Sequence, residues 1–364
     1  SDWSSDVCSS DLQIVALLFA VALCEKARLQ FGQDGVFKIL QMSDLHCGED
    51  LEKDNNTTRV MRSLIDAENP NFLAYTGDMV SGYAWDKTPG WYKKIWDRWT
   101  EVIYEKKIPY AYTLGNHDNE ADLTRRQIVE VDMQNPYSYT EMCPESVPGA
   151  STYVVPVYSS KDPNTVIMNM WFFDSQQYNC LGVQGFGCVA HEVIDWYYET
   201  SRRLEKEQGG KKPGVAFMHI PPQEWMYAWN HFDSVGTKAQ LVKCQSMNTG
   251  IMAAFRERNE MVAIFTGHDH KNDFSVDYDN VLVGYTRKTG YGSYGPADGK
   301  LHGGRILKIQ EQPFRIETYI IQEDGTVDKQ EPQPDKGVKQ DMCDCMHPPH
   351  SIYEIGRASC RERV

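Results

Sequence analysis

Five short polar groups stand out in this 364-residue chain because each follows directly on an apolar run. They are Asp44 and His46; Gly77 and Asp78; Gly115, Asn116, His117 and Asp118; His219; and Gly267, His268 and His270. Singly they say little, since an Asp-x-His triplet arises by chance, a Gly-Asp pair commonly marks a turn, and a lone His after an apolar run is often a satisfied structural histidine. Five in series, each at the end of a strand of one predicted sheet, are hard to attribute to chance. The mixture of carboxylate, imidazole and one amide oxygen suits borderline divalent metals such as Zn, Mn or Fe. The donors are too many for one ion, and a pair of ions about 3.5 to 4 Å apart is the natural way to use them.

The elements that must position these groups alternate. Val36 to Gln41 reads as a strand, and Asn56 or Thr57 can cap a helix over TRVMRSLIDAE. Asn55 and Asn56 also each begin an N-glycosylation acceptor pattern, although capping accounts for them without sugar. PNFLAYTGD is a second strand, TPGWYKKIWDRWTEVIYEKK an amphipathic helix, and PYAYTLGNHD a third strand. A helical TRRQIVEVDMQ, the strands TYVVPVYS and VIMNMWFFDS, the helix HEVIDWYYETSRRLEKE and the strands GVAFMHIPP and MVAIFTGHDH follow. NVLVGYTRKTGYGSYG, GGRILKIQ and RIETYII close the pattern as antiparallel strands and turns. Strand alternating with helix predicts an α/β layered fold whose functional groups gather at the carboxyl ends of strands.

Asp44-x-His46, Gly77-Asp78, Gly115-Asn116-His117-Asp118, His219 and Gly267-His268-Asp269-His270 together resemble the calcineurin-like metallophosphoesterase superfamily, from about Phe37 to Ile321. SDLHCGED, TGDMVSGY, HIPPQEW, GHDHKND and YTRKTGYGSYG resemble its purple-acid-phosphatase-like branch, which holds short plant forms and a fungal phosphatase. The resemblance implies a four-layer α/β fold, with two mixed β-sheets packed together and flanked by helices. It also implies two divalent ions (Mn, Zn or Fe): Asp44, His46 and His270 on the first, Asn116, His219 and His268 on the second, and Asp78 bridging. His117 is the implied proton donor to the leaving oxygen, with Asp118 orienting it. Purple acid phosphatases proper carry Gly at the His46 position and a ferric-binding Tyr at the Ser81 position, so a colourless pair of divalent ions is expected here; Tyr83 lies out of line to substitute. The implied reaction is hydrolysis of phosphate monoesters by a metal-activated hydroxide, water bound between the ions having its pKa lowered from about 15.7 to about 7. Phosphodiester or pyrophosphate hydrolysis by the same centre is the alternative, and a catalytically silent binding module a third reading.

A formal net charge of −14 argues against a nucleic-acid or anionic-membrane surface, so an anionic substrate has to be attracted locally. The metals with Arg287 and Lys288 are expected to supply that field, and Tyr291 and Tyr294 to line the cleft. Asp174 reads as support near the cleft, and Trp225 and Trp229 as core or an apolar rim. The expected partner is a phosphorylated small molecule or other phosphoester; the oligomeric state is not specified by the sequence. Residues 1–12 and 354–364 back-translate into stretches resembling sequencing adapters and are set apart from the native chain. Residues 13–24 read as the remainder of a signal peptide, 32–321 as the catalytic domain and 322–353 as an acidic, Pro-rich tail, without a membrane-spanning segment. A secreted or secretory-pathway location, whether extracellular, vacuolar or periplasmic, follows. Of the cysteines outside the adapter-like ends and the leader, Cys180 and Cys188 are the expected disulfide, a short Gly-containing loop apart.

Overall fold

The alternation is realised over residues 26–344, which a computed structural model describes; the adapter-like ends and the leader lie outside the described residues. In chain order the elements are β1 (Leu29–Gln30), β2 (Val36–Met42), α1 (Leu51–Glu68), β3 (Phe72–Thr76), α2 (Trp91–Lys106), β4 (Tyr110–Thr113), α3 (Arg125–Met133), β5 (Tyr153–Tyr158), β6 (Val166–Phe173) and α4 (His191–Glu207). They continue with β7 (Gly214–Met218), α5 (Glu224–His231), β8 (Ser234–Val235), α6 (Ile251–Arg258), β9 (Met261–Thr266), β10 (Ser275–Tyr278), β11 (Val281–Tyr285), β12 (Gly303–Gln310), β13 (Arg315–Gln322) and β14 (Val327–Asp328).

The strands form two mixed sheets, one in the order β1-β5-β6-β7-β9-β11-β10-β8 and the other β14-β13-β12-β2-β3-β4. Side chains alternate across a strand, so β2 sends Phe37 and Ile39 to one face and Leu40 and Met42 to the other. Phe37, Ile39, Phe72, Leu307 and Ile309 meet Met170, Phe172, Phe217 and Phe265 of the facing sheet, and these pairs form the core between the sheets. Leu40 and Met42 face α1 and α2 through Val60, Leu64, Trp96 and Trp99, while α4 and α6 cover the outer face of the other sheet through Tyr197 and Phe255. Four layers result. Each buried aromatic or branched side chain contributes about 1.5 to 3 kcal/mol, and their distribution over three clusters holds all four layers together.

The strands β2, β3 and β4 run parallel, as do β7 and β9 in the other sheet. Their carboxyl ends therefore open at one edge of the sandwich, and the site draws on both sheets rather than on one. Three further features depart from the sequence reading. α1 begins at Leu51, capped by Asp50, whose side chain accepts from the backbone N–H of Lys53 at 2.8 Å, so Asn56 and Thr57 lie inside the helix. The short α5 and α6, of 8 residues each, carry too few turns to show a clear period. The segment after Gln322 is not a loose tail as far as it is described. It contributes β14, and Gln330 reaches Asp273 and Arg305 while Gln340 donates to the carbonyl of Val242 at 3.0 Å. Disulfides join Cys180 to Cys188, as expected, and Cys244 to Cys343. Cys47 and Cys143 are free and buried.

Candidate metal centre

At the open edge, each ligand-bearing loop is fixed by backbone bonds to its neighbour. The backbone N–H of Asp44 donates to Gly77 O at 3.0 Å, that of His46 to Asp78 O at 3.0 Å, and that of Gly267 to His219 O at 3.2 Å. Asp44, His46, Asp78 and His268 all have positive φ, between 50° and 76°. Asp and His are among the few non-glycine residues that occupy this left-handed region, at a cost of about 1 kcal/mol each. The turn is what swings each side chain off its strand axis toward a common point.

Two buried groups result, Asp44 with His46 and His270, and Asp78 with His219 and His268; within each, the donor atoms lie within 4.8 Å of one another. Asn116 joins the second group, with Oδ1 3.1 Å from His219 Nε2. Asp78 Oδ2 lies 3.0 Å from His219 Nε2 and 3.7 Å from His46 Nε2, so one carboxylate oxygen faces both groups. The donor chemistry fits divalent cations. His219 Nδ1 meets the carbonyl of Thr76 at 2.7 Å and His270 Nδ1 that of Tyr294 at 2.9 Å. A carbonyl only accepts, so both Nδ1 atoms carry a proton and direct Nε2 inward, the usual arrangement of a ligating histidine. His46 Nδ1 lies 3.0 Å from Ser81 Oγ, which puts its Nε2 3.2 Å from His270 Nε2. Two imidazole nitrogens facing each other at that distance need a proton or a cation between them. Asp44 Oδ1 and His268 Nε2 are buried without a hydrogen-bond partner among the described residues.

The electrostatics agree. Burial pushes His46 and His268 well below the ordinary imidazole value and His270 down to about 4, which favours the neutral, ligating form. Burial opposes the charge on Asp44 and Asp78 too. It is outweighed for Asp44 by the closeness of His270, whose Nε2 lies 3.3 Å from Oδ1, and for Asp78 by the His219 and His117 charges, so both carboxyls sit below their usual range. His219 is pushed up to about 9 because Asp78 more than compensates for its burial. A cation binding there competes with that proton.

His117 belongs to neither group. Its backbone N–H donates to Asp78 Oδ1 at 2.8 Å, and its Nδ1 lies 2.7 Å from Glu120 Oε2. Asp118 does not orient it. Fully buried, Asp118 accepts from the backbone N–H groups of Gly115, Asp78, Met79 and Val80 at 2.7 to 3.2 Å, locking two ligand loops together. The hydroxyl of Tyr178 donates to Glu120 Oε1 at 3.0 Å and accepts from Asn116 Nδ2 at 3.2 Å, which turns the amide oxygen toward His219.

Above the two groups lies a cleft of about 290 Å³ lined by His46, Asp78, Tyr83, His117, Phe186, Lys243, His268, His270, Ser293 and Tyr294. Tyr294 stacks on His270, ring centroids 4.0 Å apart, and is a cleft residue. Arg287 is not. It is 1% exposed and held by Asp273 and Asp328 at 2.6 and 2.8 Å, in the interior beside β14. Lys288 is buried beneath the site, donating to Asp44 O at 2.7 Å. Tyr291 stacks on His302 and bonds to Glu323, away from the cleft lining. Asp174 is a support, ion-paired to Arg125 and accepting from the backbone N–H of Ala150. Trp225 and Trp229 are core. Glu120, Tyr178, Phe186 and Lys243 were not singled out by sequence; only Glu120, three residues past His117, carried a positional signal.

A profile of the calcineurin-like phosphoesterases matches residues 37–272. "Probable inactive purple acid phosphatase 29" of Arabidopsis thaliana is 28% identical over 305 residues, covering 76% of this chain and 77% of that protein. "Phosphatase DCR2" of Saccharomyces cerevisiae is 26% identical over 282 residues, 70% of this chain and 47% of that protein. Among solved structures, a dimetal phosphatase from Danio rerio superposes with a TM-score of 0.50 at 12% identity, covering 79% of this chain and 99% of the other, and so shares the fold. The match runs through every ligand-bearing loop from Asp44 to His270, and the chain is a member of the calcineurin-like phosphoesterase family.

Proposed function

We propose that the protein is a hydrolase of phosphate monoesters acting with two divalent ions. The observation that carries this reading is the completeness of the centre: both buried ligand groups are intact and share Asp78, with His117 beside them in the cleft. When bound, such ions supply Lewis-acid chemistry, activating water and neutralising charge on a phosphoryl group. The rest is done by the chain. Asp44, His46 and His270 would hold one ion, Asn116, His219 and His268 the other, and Asp78 both. His117, steadied at Nδ1 by Glu120, supplies a proton from its other ring nitrogen to the departing ester oxygen. Tyr83, Phe186 and Tyr294 narrow the cleft and exclude water from the reacting groups.

The name of the Arabidopsis relative favours a second reading, a binding module that has kept the fold and lost turnover. The yeast relative is named a phosphatase. Phosphodiester or pyrophosphate hydrolysis uses the same centre and differs in the treatment of the second ester group. Two disulfides support an oxidising compartment and hence a secretory location, and no described helix is long and apolar enough to cross a membrane.

The protein stripped of metal and resupplied with Mn, Zn or Fe(II) is expected to release p-nitrophenol from p-nitrophenyl phosphate faster than from bis-p-nitrophenyl phosphate. His117→Ala should lower the rate roughly 10²- to 10⁴-fold. Preference for the diester would favour the phosphodiesterase reading, and no turnover with two ions bound the silent module.

A further inference from the structure

Arg287 and Lys288 do not line the cleft, and a lysine on another loop does. Lys243 is the one lysine or arginine lining the cleft among the described residues. Half-buried, it has no ion-pair partner there. Its position is fixed from several sides. Its backbone N–H donates to Asp269 Oδ2 at 3.1 Å, and Asp269 also accepts from Tyr285 Oη at 2.6 Å and Gln240 Nε2 at 2.9 Å. The backbone N–H of Val242 donates to Gln340 Oε1 at 2.8 Å, and Cys244 is bonded to Cys343. A segment clamped before, at and after the lysine carries its ammonium to the cleft on a stiff base, which reduces the ordering cost of a contact. Nothing in the ligand sets or in the His117–Glu120–Tyr178 chain uses this charge.

We propose that Lys243 is a specificity-determining residue that takes a phosphoryl oxygen of a dianionic phosphomonoester. The proposal rests on the phosphomonoesterase reading above. A terminal phosphoryl group carries about −1.5 to −2 charge near neutral pH, whereas a diester carries about −1. Lysine acts on phosphate as a point charge, so its attraction scales with that charge, and a half-enclosed cleft screens it less than open water does. The two divalent ions also attract both ester classes; an added fixed cation weights the balance toward the more highly charged one. Phe186 and Tyr294 are walls of the cleft, the metal-facing Asp78 is the one carboxylate in its lining, and Asp269 lies behind the Lys243 backbone.

The test is equilibrium binding to the metal-loaded protein at about pH 8, with metal content measured in each variant. Inorganic phosphate, chiefly a dianion there, and dimethyl phosphate, a monoanion, are titrated calorimetrically into the parent, Lys243→Met and Lys243→Arg. Lys243→Met should raise the Kd for phosphate about tenfold while changing that for dimethyl phosphate less than about threefold, and Lys243→Arg should stay within about threefold of the parent for phosphate. An unchanged phosphate Kd in Lys243→Met, or equal weakening of both ligands, overturns the proposal. Equal metal content separates loss of the anion contact from loss of the centre. A protein that binds in the expected pattern and yet hydrolyses no ester refutes the phosphatase reading while leaving the role of Lys243 standing.

Discussion

His117 can serve as a proton donor only while its ring is held and protonated, and both conditions lead to Glu120. Burial works against the imidazolium, but the charge of Asp78 and the hydrogen bond to Glu120 outweigh it, so the His117 pKa lies above the ordinary value. A donor acts in its protonated form, so the rate is retained up to that raised pKa and is lost as the pH rises through it. Glu120→Gln keeps a hydrogen-bond acceptor and removes the charge. The alkaline limb of the kcat/KM profile should therefore move to lower pH by about one unit, with a smaller change at the acid side. A stationary limb would mean that another group supplies the proton. The pair also shows what sequence could and could not reveal at this scale. The candidate metal ligands were legible because they are rare residue types at strand ends. The partner of His117 was not: Asp118 and Glu120 are both carboxylates within three residues, and only the turn after β4 decides that one faces the backbone N–H groups of two loops and the other faces the ring.

Among the elements, the loops after β2, β3 and β4 are packed so closely that glycine is required. A Cβ built on Gly115 would stand 2.1 Å from Asp78 Oδ1 and 2.4 Å from the backbone nitrogen of Asp78. Gly115→Ala should therefore displace the carboxylate that faces both ligand groups. The expected result is loss of one ion of the two, measured as metal stoichiometry after dialysis, together with a lowered melting temperature. Retention of both ions would mean that the β4 loop can give way. The strands themselves were readable because β2, β3, β7 and β9 are short, nearly unbroken apolar runs, as strands covered on both faces must be. Their assignment to two sheets was not, since pairing depends on which runs meet after a crossover, and Gln41 next to Thr266 is a contact across 225 positions.

For the molecule as a whole, the described part of the C-terminal segment is a strap rather than an appendage. It adds β14 to one sheet, crosses to Arg305 and Asp273, and is fastened at Cys343 to Cys244 beside the cleft. The bond closes a span of 99 residues, and in the chain-entropy account a link of that length removes much freedom from the unfolded state. Cys244→Ser should reduce the unfolding free energy by about 2 to 4 kcal/mol in urea titration, with the Cys180–Cys188 bond intact. No loss would place the stabilisation in the β14 contacts alone. Polar composition and proline suggested a tail here because such segments seldom bury enough surface to fold by themselves. This one is held by a covalent bond and by side-chain amides, neither of which leaves a hydrophobic period to read.

The left-handed backbone at Asp44, His46, Asp78 and His268 has a consequence on the time scale of descent. Glycine occupies that conformation without steric strain, so at these four positions the change that removes a candidate ligating side chain is also one that relieves backbone strain in the ion-free chain. A lineage released from selection for catalysis would meet mutations favourable to folding at the centre itself, and each one fixed would make return harder. Loss of ion binding in such a fold would work as a ratchet, and this chain keeps a potentially ligating residue type at all four positions.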